Sequence, residues 1–272
     1  MIVVLYPLIY ILSSSFSSAH AVVSGRVRLL PIEPNIEGYR RVFQNKQVLV
    51  GYQNSIINTI VGTIINLAIT FGAAYPLSRR AMAGKKIVST FFIITMLFSG
   101  GIIPTYIAVK SYGLIDTRWA LLLPYAMIVY MMIVARTFFE QTIPEDLREA
   151  ATIDGCSEFG VFFKIVLPLS KPIVAVLALL YAVRHWNSFF DAMIYINRPS
   201  LAPLQIVLRT ILLQNSIDAS LLADAATALQ LEGMRDLLKN SLIVVASVPV
   251  LVVYPFIQKY FIRGILLGAV KG

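Results

Sequence analysis

The chain has 272 residues, 58% of them hydrophobic and only 14% charged, with a formal net charge of +9. Soluble domains carry about a quarter charged residues, so lipid must cover part of this apolar surface. The positive balance does not point to nucleic acid, because the basic residues sit mostly in short loops between apolar runs and no nucleic-acid-binding motif is present; a single cysteine, Cys156, excludes a disulfide within the chain.

A membrane span needs about 20 mostly apolar residues, because a helix rises about 1.5 Å per residue and the hydrocarbon core is about 30 Å thick. Six segments meet or approach this: 1–16, 52–77, 87–109, 119–135, 172–195 and 242–261. Backbone groups in lipid must bond internally, so all six read as helices and the fold class as an all-α membrane protein. The first segment is strongly apolar only from Met1 to Leu12. Two readings stand for it. It is a signal peptide, with Ala19-His20-Ala21 resembling a cleavage site, or a first span whose start lies outside this sequence; no Lys or Arg precedes the apolar run, which weighs against the former.

The second segment places Asn54, Asn58, Gly62, Asn66 and Thr70 at steps of four. Such steps drift about 40° each on an α-helix and leave one gently spiralling polar face. Polar side chains in spans face a cavity or a neighbouring helix, so the face is either a solute path or helix–helix glue, and the two readings weigh equally here. Residues 79–86, RRAMAGKK, then hold four positive charges in eight positions, the mark of a cytoplasmic loop. Alternation puts 136–171 and the C-terminus inside, and 17–51, 110–118 and 196–241 outside. The raw count does not decide this, because 79–86, 136–171 and 259–272 together hold 11 of the 23 Lys and Arg.

Residues 149–168 read EAATIDGCSEFGVFFKIVLP. Thr142 and Glu145 have capping-box spacing and Pro144 suits a helix's first turn. Leu147, Ala150 and Ala151 give a small, apolar face, and Gly155 fits the left-handed position that ends a helix. A second amphipathic turn follows with Phe159, Phe162 and Phe163, and Pro168 and Pro172 bound the entry to the fifth span. Such a short helix, ended by glycine and joined tightly to a span, would move the span when pushed.

At these residues the chain resembles the permease subunits of binding-protein-dependent ABC importers. Their pattern is Glu-Ala-Ala, three residues, Gly, nine residues, Ile, any residue, Leu-Pro. Glu149, Ala150, Ala151, Gly155, Ile165, Leu167 and Pro168 satisfy every position. The resemblance implies that 149–155, with Asp154 inside it, is a coupling helix docking on a cytoplasmic ATPase subunit. It also implies the type I importer permease fold of about six transmembrane helices in the bacterial inner membrane. Residues 98–124, 186–196 and the tail GAVKG look like carbohydrate-importer permeases. They are most like the branch for oligosaccharides and products of polysaccharide breakdown, alginate importers included, and are similar to the shorter maltose-importer permease. The expected organisation is a first transmembrane segment and periplasmic connection, 1–51, then a core permease domain of five helices, 52–272, containing the coupling loop 136–171. The implied partners are a second permease subunit, related but different, a dimer of ATPase subunits carrying ATP and Mg, and an extracytoplasmic substrate-binding protein. No cofactor is expected on this chain.

The fifth segment carries Tyr181, Arg184, His185, Trp186, Asn187 and Asp191. Aromatic faces with amide and charged groups suit sugar rings, and Arg184 and Asp191 are hard to explain as glue. Arg184 and Asp191, seven residues apart, would alternatively pair with each other. The outside loop holds apolar-periodic stretches at 204–213 and 221–231, and relatives touch the binding protein on that side; a lid packed on the spans is the plainer reading. Relatives direct the tail, 262–272, toward the ATPase.

His20 and His185 are the chain's two histidines, too few and isolated for a metal site, and there is no GxxxxGK[ST] phosphate loop. A membrane-embedded enzyme would need clustered acids at the membrane surface. Six of the 14 acidic residues lie in 136–171, where helix-surface roles suffice. An ion-coupled carrier would show inverted repeats, and none is found. The reading is thus a transport subunit and not an enzyme. A permease of the same class for an amino acid or peptide is the alternative, since the coupling motif reads the ATPase and not the cargo.

Overall fold

A computed structural model describes residues 2–217 and 225–269, with no strand among them. Met1, the 221–224 part of the second loop stretch and the last three residues of the tail lie outside the described residues. The helices in chain order are α1 (Ile2–Ser15), α2 (Ala19–Val23), α3 (Glu37–Gln44), α4 (Lys46–Ser78), α5 (Lys85–Leu97), α6 (Ile102–Ser111), α7 (Trp119–Leu122) and α8 (Val129–Thr142). They continue as α9 (Glu145–Ile153), α10 (Glu158–Val161), a π-helical stretch (Phe162–Val166), α11 (Leu167–Leu169), α12 (Lys171–Trp186), α13 (Phe190–Tyr195), α14 (Leu204–Ile217) and α15 (Ala225–Ala269).

Among the described residues, two helices are long and apolar enough to cross a membrane: α4 and the Glu232–Pro255 part of α15. Two bent pairs raise this to four. They are α5 with α6, bent by 112°, and Glu158–Leu169 with α12, bent by 82°. Large apolar side chains such as Ile64, Phe91, Leu97 and Leu251 lie exposed along these helices, as lipid contact requires.

Three expected helices are broken, and each break has a local cause. Segment 87–109 parts at Gly100-Gly101, where Gly101 adopts φ +81°, a left-handed conformation that costs glycine little. Segment 119–135 parts at 123–128 around Pro124, which has no N–H to give a helix. Segment 172–195 parts after Trp186, where the Asn187 side chain donates back to the Val183 carbonyl at 2.9 Å and competes with the helix ladder. Conversely, 242–261 lies within the 45-residue α15.

The chain forms two compact units, with a boundary inside α4 after Ser55. One comprises Met1–Ser55 and Phe189–Val253. Here Asn54 Nδ2 donates to the carbonyls of Ser200 and Ala202 (2.9 and 3.1 Å), and the Ser55 hydroxyl accepts from Leu204 N at 2.9 Å. These bonds tether the connection before α14 to the start of α4. The Ser241 hydroxyl reaches the Ser15 carbonyl in the same unit.

The other unit comprises Ile56–Ser188 and Tyr254–Gly272. Its core joins Phe71 and Tyr75 of α4, Met132 and Phe139 of α8, and Leu177 and Tyr181 of α12. Ala151, Val161 and Val166 extend the same cluster into α9, α10 and the π-helical stretch. The short α9 is therefore seated on three long helices rather than carried on a free loop.

Candidate functional site

Pro144 directly precedes α9, and its N–H-less nitrogen and fixed φ suit a helix start. The expected Thr142–Glu145 capping box does not form: no side chain caps α9, and Glu145 turns instead to two arginines. The far end closes as expected. Gly155 sits at φ +79°, its N–H donates to the Thr152 carbonyl at 3.0 Å, and Cys156 N donates to the Ala151 carbonyl at 2.9 Å. Together these are the two bonds of a Schellman closure.

The faces of α9 divide sharply. Ala151 is buried in the core, while Glu149, Ala150, Asp154 and Gly155 are exposed. Leu147 is 39% exposed and Ile153 86% exposed, so the outward face presents acidic, small and apolar side chains together. Past the turn, Ser157 caps α10 by accepting from Gly160 N, Ile165 and Leu167 are half-buried against the core, and Pro168 is exposed. The Phe162–Val166 stretch is π-helical rather than a regular amphipathic turn. Phe159, Phe162 and Phe163 line a cavity of about 810 Å³ with Leu67, Phe71, Tyr75 and Arg79.

Beneath α9 lies an ionic cluster. Arg79 follows α4 directly; its Nη1 lies 2.6 Å from Glu158 Oε2, and its Nε lies 3.3 Å from Glu145 Oε1. Burial is the largest single influence and works against the Arg79 charge, but Glu158 and Tyr75 together outweigh it and raise the guanidinium pKa. Tyr75 Oη donates to Glu158 Oε2 at 3.2 Å. Arg148 is 2% exposed; its Nη1 reaches Glu145 Oε2 at 3.4 Å, and its Cζ lies 5.6 Å from the Tyr75 ring centroid, in cation–π range. Its Nε and Nη2 have no acceptor. Sequence reasoning missed Arg148, Arg79 and Tyr75. Arg148 lies between an exposed Leu147 and an exposed Glu149, and no one-dimensional pattern buries a charge there.

The polar face of α4 has protein partners. Asn58 Oδ1 accepts from Arg118 Nη1 at 3.2 Å, and Asn66 Nδ2 donates to the Tyr125 carbonyl at 2.7 Å. Asn66 Oδ1 also faces His185 Nε2, and the Thr70 hydroxyl meets Tyr181 Oη at 2.7 Å. Tyr181 Oη in turn accepts from Ile128 N at 3.3 Å. Asn66 and Tyr181 thus satisfy backbone groups freed where the helix breaks at 123–128. Gly62 lets the His185 ring lie against α4, since a Cβ there would fall 2.4–2.7 Å from ring atoms.

Of the residues expected on a solute path, Asn54, Asn58, Asn66, Tyr181, His185 and Trp186 are buried. Arg184 and Asn187 are exposed and Asp191 is half-buried. Arg184 and Asp191 do not share a helix, because α12 ends between them. The Arg184 guanidinium lies 4.4 Å above the ring of Tyr125, a residue that no spacing in the sequence connects to it.

A family model described as "Binding-protein-dependent transport system inner membrane component" matches residues 48–266. Protein LplC of Bacillus subtilis is 43% identical over 99% of this chain and 90% of its own length. The polygalacturonan/rhamnogalacturonan transport system permease protein YtcP of the same organism is 41% identical, over 98% and 92%. The solved structure of a bacterial ABC transporter involved in import of the acidic polysaccharide alginate aligns with TM-score 0.84 and 34% identity, covering 96% of this chain and 91% of that one.

Proposed function

The chain belongs to the family of binding-protein-dependent transport system inner membrane components, and on that footing we propose that its cargo is a carboxylated oligosaccharide. It is a multi-pass inner-membrane permease subunit of an ABC importer and not an enzyme. Membership of this family implies a substrate-binding protein and an ATPase as partners. ATP and Mg then belong to a dimer of ATPase subunits on the cytoplasmic side, and a related but different permease completes the membrane pair, with lipid around both.

The observation that carries coupling is the division of α9. Its outward face is free to be gripped, and its other face is packed into the core of α4, α8 and α12. Glu149, Ala150, Asp154 and Gly155 form the docking surface, Ala151 seats the helix, and Ile165, Leu167 and Pro168 pass its movement to α12. ATP closure stabilises one of two arrangements of the spans, and transport is the resulting population shift.

For the cargo, Arg184 stacked on Tyr125 offers a cation and an aromatic face together, which suits a sugar bearing a carboxylate. Asn187 and Asp191 follow it in sequence; Asn66 and Tyr181 hold the backbone at 125–128, His185 faces Asn66, Asn58 accepts from Arg118, and Trp186 is buried next to His185 in sequence. The polysaccharides that two similar proteins are named for, polygalacturonan and alginate, support the same chemistry. The test is ATP hydrolysis by the reconstituted importer with its binding protein and added trigalacturonate. Stimulation by trigalacturonate is expected, falling about tenfold in Arg184→Gln, the scale of one lost charged hydrogen bond. Stimulation by a peptide or amino acid with none by oligosaccharides would refute the reading.

A further inference from the structure

The Gly155 turn joins two arms, α9 before it and α10 after it; its Schellman bonds close the end of α9 but involve no residue of α10. Gly155 has no side chain, and no heavy atom lies within 4 Å of where a Cβ would stand. The arms are nonetheless both tied to the C-terminal end of α4. Glu145 and Arg148 stand on the α9 arm, Glu158 on the α10 arm, and Tyr75 and Arg79 at the end of α4. Arg79 spans the turn, with one nitrogen 3.3 Å from Glu145 and another 2.6 Å from Glu158. Arg148 completes the set from beneath α9 through Glu145 and the Tyr75 ring.

We propose that Arg79 and Arg148 are positioning residues for coupling, forming with Glu145, Glu158 and Tyr75 an ionic strut that bridges the glycine elbow and ties both arms to α4. The inference deepens the transport reading above and rests on it. The apolar cluster that Ala151 and Val161 share holds the arms together but does not fix their angle, because hydrophobic attraction has no direction. Charged hydrogen bonds have direction, and Arg79–Glu158 and Arg148–Glu145 are such bonds, while Arg79 Nε and Glu145 form an ion pair without one. Stability alone does not account for Arg148. It is buried with Nε and Nη2 unmet, and an apolar side chain of similar volume usually serves a core as well or better. What the charge supplies is one defined arrangement. The strut's end point matters too. α4 carries Asn58, Asn66 and Thr70, whose partners are Arg118, the broken backbone at Tyr125, and Tyr181. Movement of α9 therefore reaches the Tyr125–Arg184 pair through α4 as well as through α12.

The test uses the whole importer in proteoliposomes, with ATPase pull-down as the assembly control. Arg79→Glu and Glu158→Arg each lose at least about tenfold of the stimulation of ATP hydrolysis by trigalacturonate-loaded binding protein, and the double reversal regains several-fold over either single variant. Arg148→Met assembles normally and shows the same loss. A cargo-free readout is Cys156, the chain's sole thiol and half-buried beside the elbow. MgATP with vanadate changes its maleimide labelling rate in the wild type. In Arg79→Glu the rate is already raised and does not respond, and in the double reversal the response returns. A double reversal no better than the singles, full stimulation in Arg148→Met, or an unaltered Cys156 response in Arg79→Glu overturns the strut. Absence of trigalacturonate stimulation in the wild type would instead sink the cargo reading and leave the strut to the Cys156 measurement.

Discussion

Replacing Gly155 in turn by Asn, Ala and Pro grades the strain at the elbow. Gly155 holds φ +79° with empty space where a Cβ would stand, so Asn and Ala meet no clash and their cost is backbone strain alone. Left-handed backbone costs an ordinary residue about 1–2 kcal/mol. Losing glycine's unfolded-state freedom returns about 0.4–1 kcal/mol, leaving roughly 1 kcal/mol for Ala. Asn tolerates this region through its own side-chain bonds and should cost less. Pro is different in kind. Its ring fixes φ near −65° and removes the N–H that donates to Thr152, so the Schellman closure cannot form and the cost is about 3 kcal/mol or more. The assays are the melting temperature of the purified subunit complex and uptake by proteoliposomes. Ala should lower the melting temperature by about 2–4 °C and keep most uptake. Pro should leave the protein inserted and abolish ATP-coupled uptake. Normal uptake in Gly155→Pro would show that the angle of this turn carries no force, and the lever reasoning would fail.

Two further substitutions probe the docking face and the buried polar core. Glu149→Lys reverses a charge on the exposed face of α9 and should reduce ATPase recovery in a pull-down by about tenfold, with cargo-loaded binding protein captured as before; unchanged ATPase recovery contradicts the docking assignment. Gly62→Ala puts a methyl group 2.4–2.7 Å from the His185 ring, which must leave Asn66 to make room. Overpacking and the orphaned amide together should cost about 2–5 kcal/mol, read as lost thermal stability. His185→Ala in the same chain should return part of it, and no recovery would mean that Gly62 is not the reason the ring fits.

The glycine-ended α9 was legible in the sequence because the cause is local: Pro144 and Gly155 dictate backbone geometry whatever surrounds them. The same holds for the apolar segments, whose hydropathy needs no tertiary partner to be read. Helix continuity was not legible. Proline or paired glycines weaken a helix without requiring a break, and at 123–128 the break stands because Asn66 and Tyr181 arrive from distant segments to satisfy its backbone. For the same reason the spiralling asparagine face of α4 could not be assigned to path or glue from spacing alone. Periodicity shows which residues share a face, not what meets it. Arg148 is the clearest case of a property that only tertiary structure decided. Leu147 and Glu149 beside it are exposed, while its charge meets the Tyr75 ring, more than seventy residues away in sequence, and Glu145, which makes no cap on its own helix. Length and hydropathy were enough to read a membrane protein, because lipid solvation acts along the chain, and the Glu-Ala-Ala spacing was enough to carry the resemblance to importer permeases that the family match bears out. Which charges are buried, and which helices α9 packs on, was decided by contacts between residues far apart in the chain.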